Sequence, residues 1–126
     1  MREIQVSQIS DSAVTEILTN PVITGTPVED IYVITDGPSV SIDPANGSTQ
    51  LWTLGANRTP NLSLITTGKA VRLGILDGTG YTLTLTSVEW MNNGGVAPTL
   101  STSHFTWILL ENVGDGIYGW VLGDVL

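Results

Sequence analysis

Few residues of this chain have side chains suited to catalysis, and their spacing forms no recognised catalytic set. The single histidine, His104, follows a Ser/Thr-rich loop. A nucleophilic triad would require it to lie beside both a nucleophile and an orienting acid, and a place on the surface or at a subunit interface explains it more simply. The chain has no cysteine, which excludes disulfides, thiolate nucleophiles and cysteine-ligated metals.

Turn formation explains the carboxylates better than a catalytic or metal-binding role does. Four of them could in principle pair for glycoside hydrolysis: Asp77, Glu89, Glu111 and Asp115. Most of these sit in or beside turns, where an Asp side chain bonds to the local backbone. Asp43, Asn46 and Asp77 resemble separate pieces of calcium loops, but the D-x-[DN]-x-[DN]-G series with a terminal glutamate is missing. We therefore predict no catalytic residue, no metal site, no cofactor and no enzymatic activity.

The four tryptophans are the largest candidate binding groups, since a flat apolar ring with a polar rim suits a sugar. Trp52, Trp107 and Trp120 fall in predicted strands, where packing in the core or between subunits is favoured. Trp90 adjoins the turn that contains Asn92 and Asn93. These last three residues are candidate glycan contacts.

Three of the four basic residues, Arg58, Lys69 and Arg72, fall within fifteen positions. They either balance carboxylates on adjacent strands or pair across a subunit interface. Subunits of formal charge −8 must meet through neutral surfaces or through such pairs. The candidate residues for an interface between copies are Arg58, Arg72, Trp107 and Trp120.

The composition indicates one all-β domain. Charged residues make up 13% of the 126 residues, and glycine is abundant at 14. The net charge of −8 would repel a phosphate backbone, so nucleic acid is not an expected partner. No segment approaches the roughly 20 apolar residues of a membrane span, so no membrane partner is expected either.

Strand-like segments alternate with turns at short intervals, which is typical of an antiparallel β-sandwich or a barrel-like domain. The predicted strands cover residues 31–34, 40–42, 50–54, 61–65, 70–76, 81–86, 105–110 and 117–122. In 81–86, strict alternation predicts that Tyr81, Leu83 and Leu85 are buried on one face. The last two strands form a hairpin and are apolar on both faces, which indicates burial inside a sandwich or against another subunit.

Residues 1–30 are predicted to form an N-terminal arm and the approach to the first strand, followed by a single β domain over 31–126. The arm has few ways to bury its apolar residues within its own domain, so docking on a neighbour is expected. The candidate contact residues of the arm are Ile4, Val6, Ile9, Ile17 and Leu18.

The stretch from 50 to 123 resembles the short β-rich modules of tailed-bacteriophage virion proteins, found in head-decoration proteins and tail-fibre tips. The resemblance lies in Val88-Glu-Trp90, in the loop Gly94-Gly-Val-Ala-Pro-Thr-Leu100 and in Tyr118-Gly-Trp-Val-Leu-Gly123. Upstream, Leu51-Trp-Thr-Leu-Gly-Ala-Asn-Arg-Thr59 is similar to a segment that often precedes these elements. Pro60 departs from the pattern, where leucine is common, so a strand there is expected to be delayed or bulged.

The resemblance implies a virion structural protein, expected to be a homotrimer without catalytic residues. A tail fibre normally carries a long N-terminal shaft, whereas about thirty residues precede this β domain. A capsid decoration, or cement, protein is therefore the first expectation: it would be made in the host cytoplasm, bind the major capsid protein on the outside of the head and stabilise the capsid. The alternative is a tail-fibre or head-fibre tip domain that binds a host surface glycan or receptor.

Overall fold

The structure is a computed structural model in which residues 24–26, 28–77 and 80–124 are described. Its six strands are β1 (Tyr32–Val33), β2 (Thr49–Thr53), β3 (Ala70–Leu76), β4 (Val88–Trp90), β5 (Thr106–Asn112) and β6 (Ile117–Asp124). Two short 3₁₀ turns, Pro44–Asn46 and Asn93–Gly95, are the only helical elements of the described residues. No helix within these ranges is long and apolar enough to cross a membrane.

The six strands form one mixed sheet in the order β1-β2-β3-β5-β6-β4. β1 pairs with β2, β2 with β3 and β4 with β6 in parallel, whereas β5 is antiparallel to both β3 and β6. The shortest strands, β1 and β4, lie at the two edges, which limits the backbone left open for pairing. A register shift between Trp107 and Ile108 marks a bulge opposite Leu122.

One face of the sheet, called the inner face below, carries the hydrophobic core. The strand residues buried there are Trp52, Val71, Leu73, Ile75, Ile108 and Leu110. They occupy alternate positions, and the register places them side by side, with Leu73 opposite Ile108 and Val71 opposite Leu110. The second layer of the core comes from loops, which contribute Ile34, Ile42, Leu54, Leu62 and Ile65.

The all-β prediction is confirmed, but the antiparallel arrangement is wrong because three of the five strand pairings are parallel. Loops, rather than a second sheet, cover the inner face. The hairpin prediction is confirmed by β5 and β6, and β3 has the predicted bounds. The predicted strands at 40–42 and 61–65 are wrong, because only Ser41 and Asn61 form an isolated bridge there. The short strand β4 was not predicted.

Residues 81–86 turn the predicted apolar side towards the core, where it is half-buried, but they do not form a strand. Tyr81, Leu83 and Leu85 pack against the core, while the threonines between them are exposed. The backbone makes a single parallel bridge, in which Arg58 N–H donates to the Thr82 carbonyl and Thr84 N–H donates to the Arg58 carbonyl. Both edges of β3 are already paired, with β2 and β5, so 81–86 cannot join the sheet there. The segment instead belongs to the loop layer that covers the inner face.

Candidate interaction surface

The opposite side of the sheet, called the outer face below, is mostly apolar, and most of its apolar side chains are half-buried. Its central side chains are Leu51, Arg72, Trp107, Leu109, Trp120 and Leu122. Register places Arg72 opposite Leu109 and Leu109 opposite Trp120. None of the apolar ones belongs to the buried core, and Leu122 is 53% exposed. Three of the four predicted interface residues, Arg72, Trp107 and Trp120, therefore lie on one surface.

A close approach between Gly74 and Trp107 shapes the outer face. A Cβ atom at Gly74 would lie 2.8 Å from Trp107 Cη2 and 2.9 Å from Leu51 Cδ2. The absence of a side chain at Gly74 lets the indole ring lie directly against β3. The ring centroid of Phe105 lies 6.0 Å from that of Trp107, at an interplanar angle of 44°. A glycine inside a strand thus allows the Trp107 ring to pack closely on the sheet.

Arg72 is the one basic residue among the central side chains of the outer face. Its Nη2 donates a 2.9 Å hydrogen bond to Thr49 Oγ1, and its side chain lines a shallow hollow of about 390 Å³ together with Leu109 and Leu122. Within the described residues Arg72 makes no ion pair. A guanidinium over an apolar floor can accept a carboxylate from another molecule.

Acidic groups lie along one border of the same face. Glu111 is opposite Tyr118 in the β5–β6 register, and Tyr118 is opposite Glu89 on β4. The Tyr118 hydroxyl donates to Asp115 Oδ2 over 3.1 Å, and this bond, with the negative charges of Asp115 and Glu89, raises the pKa of Tyr118. The outer face therefore carries a basic group near its centre and carboxylates along its border.

Arg58 is placed elsewhere, in a polar cluster with Asp36 at the margin of the core. The Asp36 carboxylate accepts from Arg58 Nη2 at 2.7 Å, Arg58 Nε at 3.1 Å, Trp52 Nε1 at 2.8 Å and Gly55 N at 3.0 Å. The Arg58 bond, assisted by those from Trp52 and Gly55, holds the pKa of Asp36 at about 2. Arg58 thus balances a carboxylate of its own chain, and its predicted role between subunits stays a prediction.

The residues of the glycan alternative make contacts within the chain. Trp90 packs against the core, where a Cβ atom on Gly119 would lie 2.9 Å from its ring. Asn92 donates to the Val121 carbonyl and accepts from the Val121 amide. The Asn93 side chain donates to two carbonyls of its own loop. Trp90 is therefore no open platform, and glycan binding stays a prediction.

The remaining predicted sites fall in two places. His104 is exposed, and its Nδ1 lies 3.0 Å from Ser103 Oγ. The arm residues Ile4, Val6, Ile9, Ile17 and Leu18 lie outside the described residues. No group of three or more acidic or histidine side chains suited to a metal occurs in the ranges the structure describes.

Sequence reasoning missed Leu51, Leu109 and Leu122 as members of the outer face. The signal was present, because the two hairpin strands are apolar at both odd and even positions. The glycine inside β3 was a second signal, since an isolated glycine in a strand marks a close approach of another group. Asp36 was not among the candidate residues.

The comparisons with known proteins add no relative to this description. No family model, no curated protein and no solved structure matches the chain.

Proposed function

We propose that this chain is a bacteriophage capsid decoration protein, a homotrimer that binds the major capsid protein on the outside of the head and stabilises it without an enzymatic step. Such a protein adds buried area across the junctions between capsid subunits, and each interface of standard size contributes about 1,600 Å². It therefore needs extended apolar contact surfaces rather than a reactive cleft.

The observation that carries the proposal is the folded unit formed by the segments that resemble the phage modules. Val88 and Trp90 lie in β4, which pairs directly with β6, the strand that contains Tyr118 and Trp120. The Asn92 side chain joins the intervening loop to β6 through Val121. Segments separated by about thirty residues in sequence thus become one structural unit, as a shared module requires.

The arm supplies the second support, through its point of attachment. Glu29 accepts hydrogen bonds from Ser48 N at 2.6 Å and Ser48 Oγ at 2.8 Å. Ser48 also lines the hollow that contains Arg72. Glu29 therefore lies beside the hollow of the outer face. An arm attached at this point would be able to reach a neighbouring subunit or the capsid.

The test is binding to capsids that lack the protein, with the full chain compared with a variant deleted for residues 2–20. The full chain should cosediment with the capsids and raise the temperature at which they release DNA. The deletion variant should keep its circular dichroism spectrum and its oligomeric mass but attach orders of magnitude more weakly, because ordering and docking the arm provides the attachment energy. A full chain that binds no capsid would overturn the proposal, and a deletion variant that unfolds would place the arm in the core.

A further inference from the structure

We propose that the outer face is the surface through which copies of this chain contact one another, with Arg72 of one copy facing Glu89 of the next. The trimer of the proposed decoration function depends on such a self-contact surface. The partner on the outer face is a second copy of the chain.

The composition of the outer face is typical of a protein–protein interface. Its centre combines two tryptophans with leucines around a single charged side chain, Arg72. The centres of protein interfaces are enriched in aromatic residues and arginine and are depleted of other charged residues. Leu122 is exposed and Leu51, Trp107, Leu109 and Trp120 are half-buried, so a partner would remove their remaining apolar surface from water.

The charges on the outer face favour a second copy of the chain over an unrelated partner. The chain carries −8, so two copies repel one another over most of their surfaces. The outer face is different, because it carries both signs: Arg72 on β3 and Glu89 on the edge strand β4. Neither makes an ion pair within the described residues. Opposite charges at the centre and at the border of one face let the border of one copy pair with the centre of another copy.

The separation of the two charges makes the contact intermolecular. In the sheet order, three strand spacings separate β3 from β4, which is roughly 14 Å. At physiological salt the Debye length is about 8 Å, so Arg72 and Glu89 of one chain barely interact. In a closed ring formed through this face, the β4 edge of one copy would lie against the outer face of its neighbour, where Glu89 would meet Arg72.

The experiment measures the mass of the full-length chain by sedimentation equilibrium at micromolar concentration. Wild type should assemble into a closed oligomer. The proposed decoration function requires that this oligomer is a trimer. Leu109→Asp places a charge at the centre of the outer face and should give monomers. The matched control is Val113→Asp, on the exposed β5–β6 loop, which should assemble like wild type.

Charge reversal keeps the test independent of folding, because Arg72 and Glu89 are both exposed. Arg72→Glu and Glu89→Arg should each weaken assembly by at least about tenfold, and the double variant should regain it. The proposal is overturned if wild type stays monomeric, if Leu109→Asp retains the wild-type mass, or if the double variant assembles no better than the single ones. A chain that assembles through this face but binds no capsid overturns only the decoration function.

Discussion

The two faces of the sheet are built from the same strands but are covered in different ways. On the inner face, Leu110 and its neighbours lie under a layer of loop residues and lose all contact with water. On the outer face, Leu109 is not fully buried and keeps part of its surface exposed. Adjacent residues of β5 therefore lie in different environments: the inner face forms the core of the single chain, and the outer face is the surface for which we propose a partner.

The largest expected difference between the faces is in the effect of truncating these two adjacent leucines. Leu110→Ala leaves a cavity in the enclosed core and should lower the free energy of unfolding by about 2 to 5 kcal/mol. Leu109→Ala removes a half-exposed side chain and should lower it by less than about 1.5 kcal/mol, while weakening assembly. Urea denaturation at one protein concentration measures both. Equal losses would show that the outer face is enclosed as fully as the inner one.

The polar cluster at the margin of the inner face gives the next largest effect. Asp36→Ala removes the acceptor of four hydrogen bonds and leaves the N–H of the buried Trp52 without its partner. We expect the free energy of unfolding to fall by about 2 to 4 kcal/mol. Glu29→Ala is the matched control, because among the described residues that carboxylate bonds to Ser48 alone, at the exposed surface. A control that loses as much as Asp36→Ala would contradict the assignment.

The same cluster predicts a pH dependence. Its bonds lower the pKa of Asp36 from 3.8 to about 2, so the folded state binds this proton less readily than the unfolded chain. The stabilisation is complete above the ordinary pKa and is lost as the pH falls from 3.8 towards 2. Wild type should therefore approach the stability of Asp36→Ala over this interval, as measured by denaturation at a series of pH values. If the stabilities of wild type and Asp36→Ala changed in parallel over this pH interval, the assigned pKa of Asp36 would be contradicted.

On each face, one tryptophan ring also lies against a glycine of a neighbouring strand. Substituting the two glycines compares how tightly the two faces are packed. Gly119→Ala would place a Cβ atom 2.7 Å from Val88 Cγ1 and 2.9 Å from the Trp90 ring, against the core. We expect it to lower the free energy of unfolding by about 1 to 3 kcal/mol. Gly74→Ala meets the Trp107 ring on the outer face, which can swing outward, so its loss should be smaller. Tryptophan fluorescence should shift to the red for Gly74→Ala, and a larger loss at Gly74 would contradict this difference.

The sequence pattern predicted which residues are buried better than it predicted which strands pair. Alternation at Tyr81, Leu83 and Leu85 correctly indicated one buried side, because such alternation reports only the environment of each side chain. Pairing also depends on which backbone groups of neighbouring strands remain open, and that is fixed by the whole topology. β3 was predicted with its bounds, since it is a longer, mostly apolar strand that ends at Leu76, just before Asp77.

The candidate surface was predictable in part for a similar reason. Apolar residues at both odd and even positions of the hairpin indicated two covered faces, which placed Trp107 and Trp120 among the candidates. The sequence could not separate Arg58 from Arg72, because the partner of Arg58 is Asp36, 22 residues away in the chain. Only the fold brings these two groups together and leaves Arg72 over the outer face.

The smallest expected effect tests the loop cover of the inner face. Leu85 is half-buried at the margin of the core, on a segment held by one isolated bridge. Leu85→Ala should lower the free energy of unfolding by about 1 to 2 kcal/mol, less than Leu110→Ala, because the side chain is only partly withdrawn from water. Thr84→Ala, on the exposed side of the same segment, is the matched control and should change stability by less than about 0.5 kcal/mol. Hydrogen exchange should show faster opening of 81–86 than of β3 in wild type, since few backbone hydrogen bonds hold this segment. A Leu85→Ala loss as large as that of Leu110→Ala would mean that the loops enclose the inner face as firmly as the strands do.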